Sequence, residues 1–235
     1  MDRLEDGMWW YEGLHAHLLF FLRQAVADTQ YPRVLDAGCG TGGLLGILDH
    51  VMPRFCVIGL DADERACVSA RMKSRCPVCV GSVNAMPFSE NSFTAIVSAD
   101  VLYHRDVDDA QALLNFYRCL ASGGTLLLNL PAYQWLYSAH DRAVYTARRY
   151  TRTHVHELLR AAGFKRVKTT YWNTFLFPLM VLRRILTRTK DGSDAVEYPK
   201  PVDLTFRAVM QLESALLRRG FTLPFGGSVL AFAVK

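Results

Sequence analysis

The fold of this chain is decided by Val34-Leu35-Asp36-Ala37-Gly38-Cys39-Gly40-Thr41-Gly42-Gly43. An apolar strand that starts at Arg33 ends here in an acid and passes into a glycine-rich turn. Glycines at alternate positions allow the backbone to approach a ligand closely and to adopt dihedral angles that other residues avoid. A helix with an apolar face follows. This order of strand, glycine turn and helix is typical of the nucleotide-binding corner of a doubly wound sheet.

Two kinds of cofactor are compatible with this corner. Gly38, Gly40 and Gly43 satisfy the G-x-G-x-x-G pattern of dinucleotide binders, in which a pyrophosphate rests on a helix N-terminus. Asp36 argues against a dinucleotide, because a carboxylate beside the turn repels a pyrophosphate. The same carboxylate suits a ligand with an amino group and a sulfonium charge. The pattern favours such a cationic donor and leaves an NAD-dependent oxidoreductase as an alternative.

The chain resembles the class I S-adenosylmethionine (SAM) methyltransferases, whose first motif is an apolar pair, an acid and alternating glycines. The motif positions are filled by Asp36, Gly38, Gly40 and Gly42. A second apolar strand starts at Phe55 and ends at Asp61. In nucleotide-binding sheets an acid at this place accepts hydrogen bonds from ribose hydroxyls. The resemblance assigns the same role to Asp61 on the ribose of SAM.

A third segment starts at Gly81 and departs from the family pattern. The resemblance implies an acid after this glycine, in contact with the adenine amino group, but this chain has Ser82. A hydroxyl is a weaker acceptor than a carboxylate, so Val83 is expected to hold much of the ring. The resemblance predicts a cofactor site made of Asp36, Gly38, Cys39, Gly40, Gly42, Asp61, Ala62, Ser82, Val83 and Ala99.

The resemblance extends over nearly the whole chain, to a bacterial methyltransferase-domain group found with polysaccharide and lipid-linked glycan biosynthesis. That group has an aromatic pair near the N-terminus, an aromatic segment with His and Asp after strand five, and an Arg-Arg-Tyr-Thr segment. The matching residues are Trp9-Trp10-Tyr11, residues 131–141 and Arg148-Arg149-Tyr150-Thr151. The resemblance implies a small-molecule or lipid-linked methyl acceptor. A SAM-binding module without catalytic activity is a further alternative.

Methyl transfer from a sulfonium needs two reactants held close and aligned, and a hydroxyl acceptor must also lose a proton. The predicted base is His104 or the His140-Asp141 pair, because a histidine oriented by a carboxylate can accept a proton near neutral pH. Structural roles for both histidines are the alternative. Transfer at oxygen is the expected chemistry. Acceptor contacts are predicted for Tyr133, Trp135, Tyr137, Arg149 and Tyr150, with packing or a salt bridge as the alternative.

Strands and helices alternate along the sequence, and this alternation predicts an α/β fold. We expect a Rossmann-like, seven-stranded, mostly parallel sheet with helices on both faces. The 235 residues suit a single domain over 1–235. Residues 1–30 are predicted to form an N-terminal helical lid. The unusually long connection between strands six and seven, residues 173–224, is predicted to be a helical cap insertion.

Composition limits the classes of partner that we expect this chain to bind. A formal charge of +5 is too small for a nucleic-acid binder. No apolar leader is visible, so a cytoplasmic protein is expected. The apolar and then basic segment 175–190 is too short to span a bilayer. It is predicted to cover the pocket, with peripheral contact at the inner membrane face as a second interpretation. The oligomeric state is not indicated.

Six cysteines are present, and free thiols are the expected state. Cys39, Cys56 and Cys119 are predicted to be small buried side chains, since each lies in an apolar context. Cys76 and Cys79 have C-x-x-C spacing. No second Cys or His pair accompanies them, so no metal site is predicted.

Overall fold

The computed structural model describes residues 8–186 and 199–235. Within them, seven strands form one sheet in the order β3-β2-β1-β4-β5-β7-β6. Their bounds are β1 Arg33–Ala37, β2 Cys56–Asp61, β3 Val78–Val80, β4 Phe93–Ala99, β5 Leu120–Pro131, β6 Arg166–Trp172 and β7 Ser228–Val234. The first five strands pair in parallel, and β7 runs antiparallel between β5 and β6. The predicted Rossmann-like, mostly parallel sheet is confirmed.

Helices cover both faces of the sheet. Their bounds are α1 Trp9–Ala25, α2 Gly43–Val51, α3 Glu64–Lys73, α4 Asp109–Cys119, α5 Ala139–Ala143, α6 Arg152–Ala161, α7 Phe177–Leu186 and α8 Lys200–Arg218. Successive strand residues point to opposite faces. Val34 therefore packs in the cluster formed with α1, α2 and α8, and its neighbour Leu35 packs in the cluster formed with α4 and α6.

Two expectations about individual segments were wrong. The glycine pair Gly123-Gly124 predicts that β5 starts at Thr125, but pairing continues back to Leu120, which lies opposite Phe93 across an irregular register. Cys56 was expected to be buried and is exposed, because it is the first residue of β2, whereas Cys39 and Cys119 are buried.

Between β6 and β7 the chain forms α7 and α8, and α8 packs on α1. Trp9 of α1 meets Phe206 of α8 edge to face, with ring centroids 5.3 Å apart. Trp10 stacks on Trp172 at the end of β6, at 5.4 Å. These aromatic contacts attach the N-terminal helix to the inserted helix α8 and to the end of β6. The predicted polar loop 190–198 and the basic residues Arg188 and Lys190 lie outside the described residues. Of the helices described, none has the length and apolar character needed to cross a membrane.

The entry into α7 is held by a buried carboxylate on α8. Glu213 is fully buried and accepts hydrogen bonds from the backbone N–H groups of Thr174 at 2.8 Å and Phe175 at 3.2 Å, and also from that of Asn173. Asn173 has a φ of 58°, a left-handed conformation that is uncommon for a residue with a side chain. The carboxylate therefore satisfies three backbone donors at the point where the chain turns away from β6.

We predict that Glu213→Ala lowers the free energy of unfolding by about 3 kcal/mol, because it leaves buried N–H groups without an acceptor. Urea denaturation followed by fluorescence measures the change. Glu157→Ala on the exposed face of α6 is the control and is expected to change stability by less than about 0.5 kcal/mol. Equal effects of the two substitutions would contradict this role of Glu213.

Candidate functional site

The turn after β1 is locked against the neighbouring strand. The N–H groups of Gly38 and Cys39 both donate to the Leu60 carbonyl, at 2.7 and 3.0 Å. Gly38 has a φ of 88°, and a Cβ at this position would overlap the side chain of Val101. Glycine is therefore required here for two reasons, the backbone angle and the close approach of the loop that follows β4.

Carboxylates border the space above this turn. Asp61 accepts hydrogen bonds from the N–H of Gly40 at 2.8 Å and from the N–H of Asp63 at 2.9 Å. Asp36, at the end of β1, is 3% exposed. Because β1 and β2 are parallel neighbours, their terminal acids face the same space. This arrangement attracts a cationic group and repels a phosphate.

The turn borders a cavity of about 1170 Å³ that continues beneath α1, α7 and α8. Pockets for a single ligand usually measure roughly 300–1,000 Å³, so this cavity has room for a donor and an acceptor together. Its lining includes nine of the ten predicted cofactor residues, which are Asp36, Gly38, Cys39, Gly40, Asp61, Ala62, Ser82, Val83 and Ala99. The predicted lid residues Trp9, Trp10 and Tyr11 also line it.

Gly42 is the predicted cofactor residue that lies outside the lining. A Cβ on Gly42 would come within 2.7 Å of the Cα of Ala70 on α3. Its small size is thus explained by helix packing behind the turn, and the residue has no contact with the cavity.

Two of the predicted cofactor residues, Ser82 and Cys39, have definite local roles. The Ser82 hydroxyl accepts from the N–H of Asn84 at 3.2 Å and so caps the short helical turn that begins at Val83. Burial, followed by the charges of Asp36 and Asp61, raises the pKa of the Cys39 thiol. The thiol is therefore neutral at physiological pH, and it acts as an apolar wall of the cavity.

The residues after β5 bring a buried ion pair to the other end of the cavity. His140, Asp141 and Arg149 line it, as does His104 after β4. Asp141 is 2% exposed, accepts from Arg149 Nε at 2.8 Å, and lies 3.6 Å from Arg184 Nη1 on α7. It also accepts from the N–H and hydroxyl of Ser138. Burial opposes ionisation, but the two arginines and Ser138 outweigh it and hold the pKa of this carboxyl below its usual range.

The aromatic residues predicted to contact the acceptor do not line the cavity. Tyr150 is 1% exposed, and its hydroxyl donates within the core, where Leu102 O and an Asp109 oxygen lie at 2.9 and 2.8 Å. Tyr133 has a φ of 59° and stacks on Tyr171, and Trp135 stacks on Tyr133. The Tyr137 hydroxyl donates to Thr146 O. The N–H of Tyr133 donates to the Tyr150 carbonyl, and this backbone bond holds the segment away from the cavity. Two other tyrosines, Tyr103 and Tyr145, line the cavity instead.

Asp100 is a site residue that the sequence reasoning missed. It follows β4 with a φ of 60°, and both carboxylate oxygens accept from the Asn129 side chain at 3.1 Å. The Trp172 indole donates to the other end of that amide at 2.7 Å and fixes its orientation. Burial raises the pKa of Asp100 to about 7, against the opposing effects of Asn129 and Arg149. The available signal was an acid directly after a buried strand, as at Asp36 and Asp61.

Comparison with known families matches the part of the chain that contains the predicted cofactor residues. Residues 34–124 match the methyltransferase domain family. Over 112 residues the chain is 29% identical to 24-methylenesterol C-methyltransferase 2 of Arabidopsis thaliana, an alignment that covers 44% of this chain. The match spans 29% of the length of that curated relative.

Solved structures share the fold over almost the whole chain. A chain from the Haloferax volcanii complex of the Trm112 methyltransferase activator with a methyltransferase superposes with a TM-score of 0.59 at 18% identity, covering 95% of this chain and 92% of that one. A SAM-dependent methyltransferase of Thermotoga maritima gives 0.54 at 20% identity, with 94% and 91% covered. Phosphoethanolamine N-methyltransferase 2 of Haemonchus contortus, in complex with phosphomonomethylethanolamine and S-adenosylhomocysteine, gives 0.57 at 17% identity, with 96% and 58% covered.

The domain match over residues 34–124 and the shared fold agree with the predicted SAM-dependent methyltransferase. The match begins at the first residue of the glycine-turn stretch and includes β1 to β4, so it contains the predicted donor contacts. The acceptor end of the cavity is built largely from residues beyond position 124, which the family match does not include.

We predict that Gly38→Ala lowers the free energy of unfolding by about 3 kcal/mol, because left-handed strain adds to overlap with Val101. Gly123→Ala is the matched control, since Gly123 has a φ of 76° but open space around its Cα. It is expected to cost only the strain, about 1 kcal/mol. Urea denaturation measures both values, and similar losses in the two variants would disprove the close approach of Val101.

Proposed function

We propose that this chain transfers a methyl group from SAM to a small-molecule or lipid-linked acceptor, at an oxygen atom. The observation that carries the proposal is the position of Asp36 and Asp61 beside a tight glycine turn, in a cavity with room for two ligands. The match of residues 34–124 to methyltransferase domains supports it. The resemblance to enzymes of polysaccharide and lipid-linked glycan biosynthesis supports the choice of acceptor.

In this proposal the residues around SAM act by binding and orienting it. Asp61 holds the ribose, and Asp36 lies on the side of the cationic amino-acid part. Ser82 and Val83 border the adenine ring. When bound, SAM supplies an electrophilic methyl group, and the protein fixes the direction in which the acceptor approaches it.

An NAD-dependent oxidoreductase is disfavoured by the same residues. A dinucleotide would place its pyrophosphate near the Gly40 N–H, which already donates to the Asp61 carboxylate. Phosphate and carboxylate charges would then repel each other in a largely buried space. The other alternative is a protein that binds SAM without transferring its methyl group. Incorporation of labelled methyl groups into acceptors separates this alternative from catalysis.

Buried polar atoms support a hydroxyl-bearing acceptor. In the described part of the chain, Asn173 Oδ1 and Trp9 Nε1 are buried without a hydrogen-bond partner, and both residues line the cavity. Buried polar atoms are nearly always paired. A hydroxyl can donate to the Asn173 oxygen and accept from the Trp9 indole, so a bound acceptor alcohol satisfies either group.

We assign proton removal to Asp100, with the predicted bases His104 and His140 as alternatives. Asp100 lines the cavity, and Asn129 holds both of its oxygens. A base whose pKa lies near the working pH is the most effective. Asp141 is placed instead to hold Arg149 and Arg184, because its oxygens accept bonds from Ser138 and Arg149.

The N-terminal helix and the inserted helices are proposed to close the cavity as lid and cap. Leu179 and Leu182 of α7 are 49% and 53% exposed, and Phe175 just before it is 45% exposed. An exposed apolar helix face beside Arg183 suits peripheral contact with an anionic membrane surface. This contact is part of the proposal for a lipid-linked acceptor.

Asp36→Ala is expected to weaken SAM binding by about 100-fold, because it removes a buried partner for the cationic donor. Calorimetry with SAM, S-adenosylhomocysteine and NAD measures the affinities. Asp28→Ala, an exposed acid after α1, should bind like the wild type. Unchanged affinity in Asp36→Ala, or binding of NAD alone by the wild type, would overturn the proposed function.

Asp100→Asn is expected to slow transfer of labelled methyl groups into cell-extract acceptors by about 100-fold or more, with S-adenosylhomocysteine affinity unchanged. In the wild type the rate should rise as pH increases through about 7, because the carboxylate form is the base. Asp28→Asn, at an exposed acid outside the cavity lining, is the control.

His104→Ala and His140→Ala are measured alongside. The proposal expects them to retain the rise in rate near pH 7 and Asp100→Asn to lose it. Loss of the rise in a histidine variant, with Asp100→Asn active, would assign the base to that histidine.

A further inference from the structure

We propose that Trp172 and Asn129 are positioning residues for Asp100: the Trp172 indole holds the Asn129 amide so that its nitrogen, and not its oxygen, faces the Asp100 carboxyl group. This inference rests on the proposed function, in which Asp100 accepts the proton of the acceptor. Asp100 lines the cavity, whereas Asn129 and Trp172 lie behind it, fully buried and outside the lining. The two residues therefore act on the reaction through Asp100.

The main chain and the side chain of Asn129 both bind Asp100. The side-chain nitrogen of Asn129 lies 3.1 Å from each carboxyl oxygen of Asp100. The backbone N–H of Asp100 donates to the Asn129 carbonyl at 3.0 Å. Asp100 directly follows Ala99, which is paired with Asn129 in the sheet. Sheet pairing and hydrogen bonds thus hold the carboxyl group against a single asparagine.

An asparagine side chain can bind a carboxyl group in two orientations, because its oxygen accepts hydrogen bonds and its nitrogen donates them. In one orientation Asn129 donates to a carboxylate, and in the other it accepts from a protonated acid. Trp172 removes this choice, since its Nε1 can only donate and lies 2.7 Å from Asn129 Oδ1. Turning the amide over would place two donors against each other. The indole therefore selects the orientation that favours the ionised form of Asp100.

The N-terminal helix α1 holds the indole in turn. Trp10 stacks on Trp172 with ring centroids 5.4 Å apart, and His17 meets the indole edge to face at 5.2 Å. A Cβ on Gly13, between these two residues, would lie 3.6 Å from the indole ring, so the helix backbone also approaches it closely. The orientation of the amide therefore depends on the packed position of α1.

Opposing effects act on Asp100. Burial raises its pKa to about 7, against the effects of Asn129 and then Arg149. Burial and the charge of Asp100 raise the pKa of Tyr103, which stays neutral at physiological pH. The other titratable groups around this part of the lining come from β1, α1, the segments after β4 and β5, and α7, and they are Asp36, Tyr11, His104, His140, Asp141 and Arg184. Substitution of Trp172 leaves all of these groups in place.

The test is a carbon-13 NMR titration of the full chain labelled at the aspartate carboxyl carbons, with the Asp100 signal assigned from its loss in Asp100→Asn. The wild-type signal should titrate near pH 7. In Trp172→Phe, which keeps an aromatic ring but loses the N–H, the midpoint should rise by about one pH unit, because the amide can then turn its oxygen to the carboxyl group. Asn129→Leu, of similar size, should raise the midpoint as well, because the donors are lost.

Trp135→Phe is the matched control, because it makes the same substitution at an indole that is 62% exposed and outside the lining. It should keep the wild-type midpoint. Transfer of labelled methyl groups into cell-extract acceptors gives a second readout. In Trp172→Phe the rise in rate should move to higher pH by the same amount as the carbon midpoint, and the rate at high pH should approach that of the wild type. A purely structural role would instead lower the rate at every pH.

Two results would overturn the inference. One is an Asp100 midpoint that stays unchanged in both Trp172→Phe and Asn129→Leu, and the other is an equal shift in Trp135→Phe. Failure of the proposed function is recognised separately, because the wild type would then bind no S-adenosylhomocysteine or transfer no methyl group. The carbon titration requires neither ligand nor acceptor, so it decides the orientation of the amide in either case.

Discussion

Carboxyl groups of like charge are gathered at one edge of the sheet, and the structure has to hold them there. Parallel strands that start on the same side end on the same side, so the acids at or just after the ends of β1, β2 and β4 line one cavity. Asp61 is stabilised by the N–H groups of Gly40 and Asp63. Asp100 is stabilised by the Asn129 amide, and its pKa is raised to about 7. Carboxyl groups at this edge of the sheet attract a cationic ligand, so the sheet topology favours a donor of positive charge.

A chain of contacts connects this acidic edge to the helices above it. Asn129 of β5 holds Asp100, Trp172 of β6 holds Asn129, and Trp10 of α1 stacks on Trp172. Asn129 and Trp172 are buried, and all three polar members of this chain are hydrogen-bonded, which fixes their geometry. The orientation of a proposed base is therefore linked to the packing of the N-terminal helix.

Nine of the ten residues predicted for the cofactor line the cavity, whereas the aromatic residues predicted for the acceptor do not, and this difference has a physical reason. The residues predicted for the cofactor lie in short segments in which strand, turn and acid are consecutive, so local pattern gives their geometry. Whether a side chain after β5 faces the cavity depends on one left-handed residue, Tyr133, and its bond to Tyr150. Glu213 and Arg184 act on partners about forty residues away, and no local pattern identifies such pairs. Asp100 could have been identified from the sequence, because it is an acid at the end of a buried strand, as Asp36 and Asp61 are.

A carboxylate and a histidine leave different charges in the cavity after each has accepted the acceptor proton. In transfer to a hydroxyl, the positive charge on the donor sulfur is lost as the acceptor proton is released. If the proton passes to Asp100, one negative charge is neutralised as one positive charge disappears. The total charge of the cavity then stays constant, and the pair formed by Asp141 and Arg149 is undisturbed. A histidine base also conserves the total charge, but it leaves a cationic imidazolium and the Asp100 carboxylate instead of two neutral groups, and charged groups are costly in a largely buried site. The charge distribution thus favours a carboxylate as the proton acceptor.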